Sequence, residues 1–454
     1  MRYVSTRGNT PPMTFTEAVI TGLAPDGGLL VPAEIPQVAD RIGDWQDLNF
    51  VDLAKALIAL FVDDIPPAKL DELITRAYED FTAPDVVALK SIAGVEILEL
   101  FHGPTLAFKD LALQLLGRLF EYILEDRGQH LNILGATSGD TGSAAIAGVR
   151  GLKTVDIFIM YPLGKVSALQ ELQMTTVLDD NVHCLAVEGS FDDCQMLMKD
   201  VFNDSAFKSE YSLGAVNSVN WARVLAQIVY YAYASLKLGR DAGVTFCVPT
   251  GNFGNVFAGY LAKRMGFPIE RLVIATNEND ILSVFFDTGR YARGTVRYTV
   301  TPAMDIQVAS NFERFLYYYF DCDPEQLTAF MHDFATTGTA ELAQQPGTDV
   351  FLATAVSQVT TLETIRKLFA DHGYVADPHT AVGIAASRHF DIPGPKVCIA
   401  TAHPAKFPES VNDSIGRDVA RHPVLDALAG QESRRLEIPA TQEAIKAVIR
   451  QHGR

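Results

Sequence analysis

The chain has 454 residues, 48% hydrophobic and 20% charged, a balance typical of a folded globular protein with a substantial core and two or three domains. Its 37 Lys and Arg against 55 Asp and Glu give a net charge of −18, and because no basic cluster stands out, nucleic acid is not an expected partner. The chain starts without an apolar signal segment, and no apolar run approaches the roughly 18 residues of a membrane span, so we expect a cytoplasmic protein with no membrane partner.

The predicted elements divide the chain into a helical leading part and an α/β remainder. Residues 1–94 carry a turn-rich segment at 21–32 and helical periodicity at 50–61 and 69–78, which predicts a mainly helical N-terminal domain. From residue 95 onward, short apolar runs alternate with amphipathic helices, and this alternation predicts parallel, doubly wound sheets with right-handed crossovers. The later runs are residues 131–134, 155–160, 182–187, 244–248, 272–275 and 397–400.

A single lysine lies where the first of these runs turns into a helix. Residues 95–101 form an apolar run of strand length, His102-Gly103-Pro104 breaks it, and Asp110 opens an amphipathic helix, which leaves Lys109 in the break. Between Phe108 and Leu111 its ammonium is poorly solvated, and desolvation lowers the pKa of an amine toward the reactive neutral form. A Schiff-base lysine needs this setting. The alternative is an ordinary loop lysine with its ammonium reaching to solvent.

Small loops follow other predicted strands, and two of the three contain glycines. In parallel sheets the loops at the carboxyl ends of the strands converge on the ligand crevice, and glycines at a helix start free backbone N–H groups to bind an anion. The alternative is a tight turn with a Ser or Thr cap. The loops are Thr137, Ser138, Gly139, Asp140 and Thr141; Gly251, Asn252, Phe253, Gly254 and Asn255; and residues 401–407, which begin with Thr401.

A further group of polar residues opens two predicted helices between these loops. Lys165 precedes one helix, and Ser218, Asn220 and Arg223 open a long one that runs toward residue 238. Amide, hydroxyl and guanidinium groups at the positive end of a helix suit a second phosphate or a carboxylate. An N-capped helix with a surface arginine remains the alternative.

Several common site signatures are absent from the sequence. The glycine loops match neither G-x-x-x-x-G-K-[ST] nor G-x-G-x-x-G, so ATP and dinucleotides are disfavoured. The five cysteines are scattered and form no C-x-x-C pair, so neither a disulfide framework nor a metal site is predicted. A desolvated lysine together with anion cradles instead suits pyridoxal phosphate, which needs both an amine that accepts its aldehyde and a phosphate site.

The motif around Lys109 resembles a known family. Residues 102–110, His-Gly-Pro-Thr-Leu-Ala-Phe-Lys-Asp, are similar to the cofactor-lysine motif of threonine synthases of the bacterial and fungal branch. Further similar stretches occur in the same order along the chain, at residues 22–29, 137–142, 173–176, 217–223, 251–255 and 401–407. The resemblance extends to about residue 415 and implies an α/β, fold-type II pyridoxal-phosphate enzyme similar to the tryptophan synthase β subunit.

The resemblance also implies a reaction and a role for each matching residue. The reaction converts O-phospho-L-homoserine and water to L-threonine and phosphate by γ-elimination and β-hydration. Lys109 is the expected Schiff-base lysine, residues 251–255 the cradle for the cofactor phosphate, and Thr401 the partner of the pyridine nitrogen. Residues 137–141 are expected to hold the carboxylate region of the substrate, with Asp140 in a position where many fold relatives carry Asn. The candidates for the substrate phosphate are Lys165, Ser218, Asn220 and Arg223.

This reaction must exclude water until the hydration step, which predicts a moving part. We expect residues 132–215 to close as a small mobile domain over a larger cofactor-binding domain of residues 95–131 and 216–454. A threonine or serine dehydratase, a silent threonine-synthase-like binding protein and a nucleotide-phosphate-binding module are the alternatives. Monomer and homodimer both remain open.

Overall fold

The computed structural model describes residues 1–137, 139–239 and 242–454. In chain order its strands are β1 (Tyr3–Ser5), β2 (Leu30–Pro32), β3 (Ala88–Ile92), β4 (Val95–Glu99), β5 (Leu131–Ala136), β6 (Val155–Pro162), β7 (Val182–Glu188), β8 (Leu213–Gly214), β9 (Val244–Pro249), β10 (Ile269–Thr276), β11 (Arg290–Ala292), β12 (Thr339–Glu341), β13 (Phe351–Ala355), β14 (Lys396–Ala400) and β15 (Leu436–Pro439). Each of the six later runs predicted from the sequence forms a strand.

The helices alternate with these strands from β4 onward. They are α1 (Phe15–Thr21), α2 (Ile42–Trp45), α3 (Phe50–Ile58), α4 (Pro67–Tyr78), α5 (Lys109–Arg127), α6 (Asp140–Val149), α7 (Ala168–Thr175), α8 (Phe191–Asn203), α9 (Ser205–Glu210), α10 (Trp221–Leu238), α11 (Gly254–Met265), α12 (Ile281–Thr288), α13 (Phe312–Tyr319), α14 (Pro324–Thr337), α15 (Gln358–His372), α16 (Pro378–Ser387), α17 (Pro408–Ile415), α18 (Pro423–Asp426) and α19 (Gln442–His452). Short 3₁₀ turns span Pro302–Met304 and Pro404–Lys406. Across the three described ranges, no helix is long and apolar enough to cross a membrane.

Two main sheets organise the α/β part. The larger has the strand order β13-β10-β9-β14-β4-β3 and is parallel except for the antiparallel pair β3 and β4. The smaller has the order β15-β7-β6-β5-β8 and is parallel throughout. Both sheets carry helices over buried strands, as the alternating pattern predicts.

The first helices pack directly on the α/β part, since α4 lies against α5 and α3 against α10. The helices α5 and α6 also cross at close range, because Gly117 and Gly148 face each other without side chains. A Cβ atom at Gly117 would lie 1.8 Å from the carbonyl oxygen of Gly148. Because α5 begins at Lys109 and α6 at Asp140, this crossing fixes how two predicted site residues approach each other.

The end of the chain lies on the smaller sheet. Strand β15 pairs in parallel with β7, and α19 packs on α8, with Ile445 and Ile449 in the same apolar cluster as Leu134. The sequence analysis assigned this tail to the larger domain, because a four-residue strand in a charged segment gives little periodic signal. Similarly, β3 falls within the predicted N-terminal domain but extends the larger sheet.

Candidate active site

Lys109 is the first residue of α5, and its side chain is only 12% exposed. Its Nζ lies 3.8 Å from the Oδ2 of Asp140 and 5.5 Å from the ring centroid of Phe108. Burial lowers the pKa of Lys109, and the nearby cations Lys406 and Arg223 lower it further, whereas Asp140 opposes them. The amine is therefore closer to its neutral, nucleophilic form than a surface lysine.

The loop that leads to Lys109 is held rigidly by Asp110. Both carboxylate oxygens of this fully buried residue accept hydrogen bonds from Thr105, from its N–H at 2.8 Å and from its hydroxyl at 2.5 Å. Burial raises the pKa of Asp110 to about 6. Gly103 is required at this approach, because a Cβ atom there would lie 2.5 Å from the Cβ of Asp110.

Asp140 joins two lysines. Its Oδ1 lies 3.2 Å from the Nζ of Lys406 and accepts a hydrogen bond from Gln170, while its Oδ2 faces Lys109. Burial would raise the pKa of this carboxyl, but Lys406 and Lys109 together hold it well below its usual range. Asp140 is therefore a carboxylate at neutral pH.

The loop after β9 forms a concave backbone surface at the start of α11. Gly251 approaches the chain so closely that a Cβ atom would lie 2.3 Å from the carbonyl oxygen of Ala303, and Phe253 has a φ of 64° in the left-handed region. The Phe253 ring is buried against Phe286 and Phe312, which stabilises this unfavourable backbone conformation. With Gly254 as the first helical residue, free N–H groups point out of the helix start, where an anion binds favourably.

Two buried side chains at this end of the sheet have polar atoms without a partner among the described residues. They are the Nε and Nη1 of Arg223, which is 4% exposed, and the Nδ2 of Asn255. The Oδ1 of Asn255 accepts hydrogen bonds from the hydroxyls of Tyr230 and Tyr231, which orients the amide. Burial lowers the pKa of Arg223 to about 10, so it remains a cation. A buried guanidinium with free donors requires an anion.

Thr401 follows β14 and lies beside the lysine loop. Its carbonyl oxygen accepts a hydrogen bond from the N–H of Phe108 at 2.8 Å, and Ala402 forms a bridge with Ala107. Thr401 is buried, with 7% of the residue exposed. The backbone of Thr401 is thus hydrogen-bonded to the residue that precedes Lys109.

The other predicted residues differ in how free their side chains are. Thr137 accepts hydrogen bonds from the N–H groups of Gly139 and Gly142, so its hydroxyl supports the start of α6, which continues through Thr141. Asn220 accepts from Ala222 and donates to the carbonyl of Val19. Both polar groups of the Asn220 side chain are therefore occupied, the oxygen in capping α10 and the nitrogen in a hydrogen bond to α1.

Ser218 and Lys165 lie in different surroundings. The Ser218 hydroxyl hydrogen-bonds with that of Ser310 at 2.8 Å, and its carbonyl accepts from Asn311, which also donates to the carbonyl of Asn252. Ser218 is thereby linked through Asn311 to the loop of residues 251–255. Lys165 is exposed in the loop after β6, near Asp193 at the start of α8. Ser138 lies outside the described residues.

The sequence analysis did not single out two supporting residues. Arg314, which is fully buried, donates to the carbonyls of Leu30 and Val219 and to Asn311. Lys406 is equally buried beside Asp140. Lys406 belongs to a loop that the sequence did identify, whereas the Phe-Glu-Arg-Phe context of Arg314 is typical of an amphipathic helix.

The arrangement fits pyridoxal phosphate. A buried amine of lowered pKa, Lys109, would take the aldehyde, and the backbone N–H groups of residues 251–255 would hold the phosphate. The unpartnered donors of Arg223 leave a second buried anion site. The fold and this site define a fold-type II pyridoxal-phosphate-dependent enzyme that acts on a small molecule.

Comparisons with known proteins agree along the whole chain. Family models match residues 2–78 (threonine synthase N terminus), 97–401 (pyridoxal-phosphate dependent enzyme) and 380–449 (threonine synthase, C-terminal). Threonine synthases of Schizosaccharomyces pombe and Pseudomonas aeruginosa are 46% and 45% identical, over 90% and 100% of this chain and 88% and 99% of their own. The crystal structure of a pyridoxal-phosphate-bound threonine synthase from Brucella melitensis matches with a TM-score of 0.97 and 43% identity over 100% of both chains. The chain belongs to the threonine synthase family.

Proposed function

We propose that this enzyme converts O-phospho-L-homoserine and water to L-threonine and phosphate, with Lys109 as the cofactor-binding lysine. The observation that carries the proposal is a buried amine of lowered pKa near a buried guanidinium with unpartnered donors. A substrate with both an amino group and a phosphate uses both features. A serine or threonine dehydratase would need only the first.

Lys109 and the loop of residues 251–255 would hold pyridoxal phosphate, and the cofactor would supply electron withdrawal from the substrate carbon that carries the amino group. The Nζ of Lys109 is assigned the proton transfers at Cα and then at Cβ, because burial lowers the pKa of this amine and so favours the neutral form that accepts a proton. Arg223 is assigned the substrate phosphate, where a fixed cation orients the substrate and stabilises the leaving dianion. We assign the cofactor phosphate to Gly251, Asn252, Phe253, Gly254 and Asn255, and the pyridine nitrogen to Thr401.

The start of α6, with Gly139, Asp140 and Thr141, is assigned the carboxylate region of the substrate through its backbone N–H groups, because the side chain of Asp140 is itself an anion. Water exclusion is assigned to residues 132–215, which form most of the smaller sheet and its helices and would move as a unit over the site together with β15 and α19. Support comes from the geometry of the interface: α6 carries Asp140 against Lys109, so any hinge between the sheets opens or closes the site.

The test combines a spectrum with a product assay. The purified protein should show the visible absorbance of the lysine-bound cofactor, and O-phospho-L-homoserine should yield phosphate and threonine in equal amounts. Lys109→Ala should lose both the visible band and turnover. Phosphate-free conversion of threonine or serine to a keto acid, with no reaction of O-phospho-L-homoserine, would instead identify a dehydratase.

A further inference from the structure

Lys406 is a second lysine in the site, to which the proposed reaction assigns no role. Its side chain has no exposed surface, and its Nζ donates to the carbonyl of Thr105 at 2.8 Å and to the Oε1 of Gln173 at 2.6 Å. The Oδ1 of Asp140 lies 3.2 Å from the same nitrogen. An ammonium has three protons to donate, so these oxygens satisfy it. Such complete pairing is what makes a buried charge tolerable.

The acceptors of Lys406 come from both halves of the α/β part. Thr105 lies in the segment after β4, and Lys406 itself lies in the segment after β14; both strands belong to the larger sheet. Asp140 begins α6 after β5, and Gln173 lies on α7 after β6, both in the smaller sheet. One ammonium therefore joins the two sheets beside the reactive lysine.

Lys406 also shares the carboxylate that faces Lys109. Asp140 has Lys406 on Oδ1 and Lys109 on Oδ2, and the nearer contact is the one to Lys406. The other charged or titratable groups that act on this pair are Arg223 and Asp110 on Lys109, and His379 on Asp140. None of these reaches the Asp140 oxygens within ion-pair distance among the described residues.

We propose that Lys406 is a positioning residue of the threonine synthase reaction: its ammonium fixes Asp140 against Lys109 and fastens α6 and α7 to the loop that precedes Lys109. The proposal rests on the proposed function, because it takes Lys109 as the cofactor lysine. It predicts that Lys406 acts through charge as well as through packing. Removing that charge leaves Lys109 as the cation nearest to Asp140, and the nitrogen of Lys109 then holds its proton to higher pH.

The test is a pH titration of the visible cofactor absorbance of the holoenzyme, which follows the proton on the Lys109 nitrogen. Lys406→Met should move the midpoint upward by about one pH unit, because the carboxylate of Asp140 then stabilises the proton on the Lys109 nitrogen without a competing cation. The basic shift should also appear in the pH profile of kcat/KM, with kcat reduced. Lys406→Met combined with Asp140→Asn should bring the midpoint back to or below that of the wild type. Lys406→Arg keeps the charge and should leave the midpoint close to the wild type.

Lys396→Met is the matched control. Lys396 is a half-buried lysine at the other end of β14, with its Nζ on the carbonyls of Ser387 and Phe390, and its loss should not move the midpoint. If Lys406→Met loses the cofactor, Lys406→Gln provides the same titration with a neutral hydrogen-bonding group. An unmoved midpoint in a folded, cofactor-loaded neutral variant would overturn the proposal, as would a shift that Asp140→Asn does not reverse. Failure of the wild type to release phosphate from O-phospho-L-homoserine would refute the proposed function instead.

Discussion

The close crossing of α5 and α6 allows a sharp test of how the fold positions the site. A Cβ atom at Gly117 would lie 1.8 Å from the carbonyl oxygen of Gly148, whereas ordinary van der Waals contact begins at 3.4 Å. The Cβ atom has a fixed position on the backbone of α5 and the oxygen belongs to the backbone of α6, so no side chain can rotate away. Gly117→Ala therefore requires the two helices to separate by about 1.5 Å.

The expected cost follows from this displacement. Overpacking costs roughly 1–3 kcal/mol, and the backbone clash places Gly117→Ala at the upper end of that range. Replacing a helical glycine by alanine returns about 1 kcal/mol, so we expect a net loss of about 2 kcal/mol. Because the helices begin at Lys109 and Asp140, their separation also moves the site residues apart. A misplacement of about 1 Å lowers turnover by about 100-fold.

The assay is urea unfolding of the cofactor-saturated protein, together with steady-state phosphate release. Saturation matters because a bound cofactor shifts the apparent stability. Gly43→Ala is the control: this glycine lies in α2 with no atom within 4 Å of an added Cβ, and the substitution should leave turnover unchanged and the protein slightly more stable. An unchanged unfolding midpoint and full turnover in Gly117→Ala would refute the reasoning.

Three other variants test the charges of the site. Arg223→Met should raise KM for O-phospho-L-homoserine by roughly 10- to 100-fold and retain the visible cofactor band, because it removes charged hydrogen bonds to the substrate; unchanged kinetics would remove Arg223 from the site. Arg314→Lys should destabilise the fold by about 1–3 kcal/mol in urea and weaken pyridoxal-phosphate binding, since a lysine cannot reproduce the fork that holds Leu30, Val219 and Asn311. The folded-state pKa of Lys109 lies below its unfolded value, so wild-type stability falls as the pH falls through that folded pKa. The cofactor-free Lys109→Met protein should therefore exceed the cofactor-free wild type in thermal stability at neutral pH, and a difference that does not shrink toward alkaline pH would contradict this explanation.

Much of the fold is predictable because its signals are local. The buried strands β6, β9 and β14 are short apolar runs between helices, and the parallel arrangement follows from their alternation. Sheet membership is a tertiary property and is harder to predict. The strand β15 is recognisable only through the partner β7 that it finds more than 200 residues away along the chain.

The residues of the site likewise divide into those that local sequence signals predict and those that only tertiary contacts reveal. The positions of Lys109, the glycine loop at 251–255 and Thr401 are predictable, because each follows a strand of the larger sheet in a segment with its own sequence signature. The supporting role of Arg314 cannot be predicted from the sequence. It donates to backbone carbonyls in distant segments, and any residue type could offer such a carbonyl. Likewise, no periodicity distinguishes the capping side chain of Asn220 from one that is free to bind a substrate.

Asp140 shows how a tertiary partner changes the effect of a residue on the pKa of its neighbour. On its own, a buried carboxylate 3.8 Å from Lys109 would stabilise the ammonium and hold the amine in its unreactive form. Lys406, closer at 3.2 Å and itself fully paired, neutralises that carboxylate, so the low pKa of Lys109 survives beside an acid. Asp140 and Lys406 therefore act as one unit. Asp140→Asn should be tolerated only when Lys406 is made neutral at the same time, because Asp140→Asn alone leaves the buried ammonium of Lys406 without a carboxylate partner.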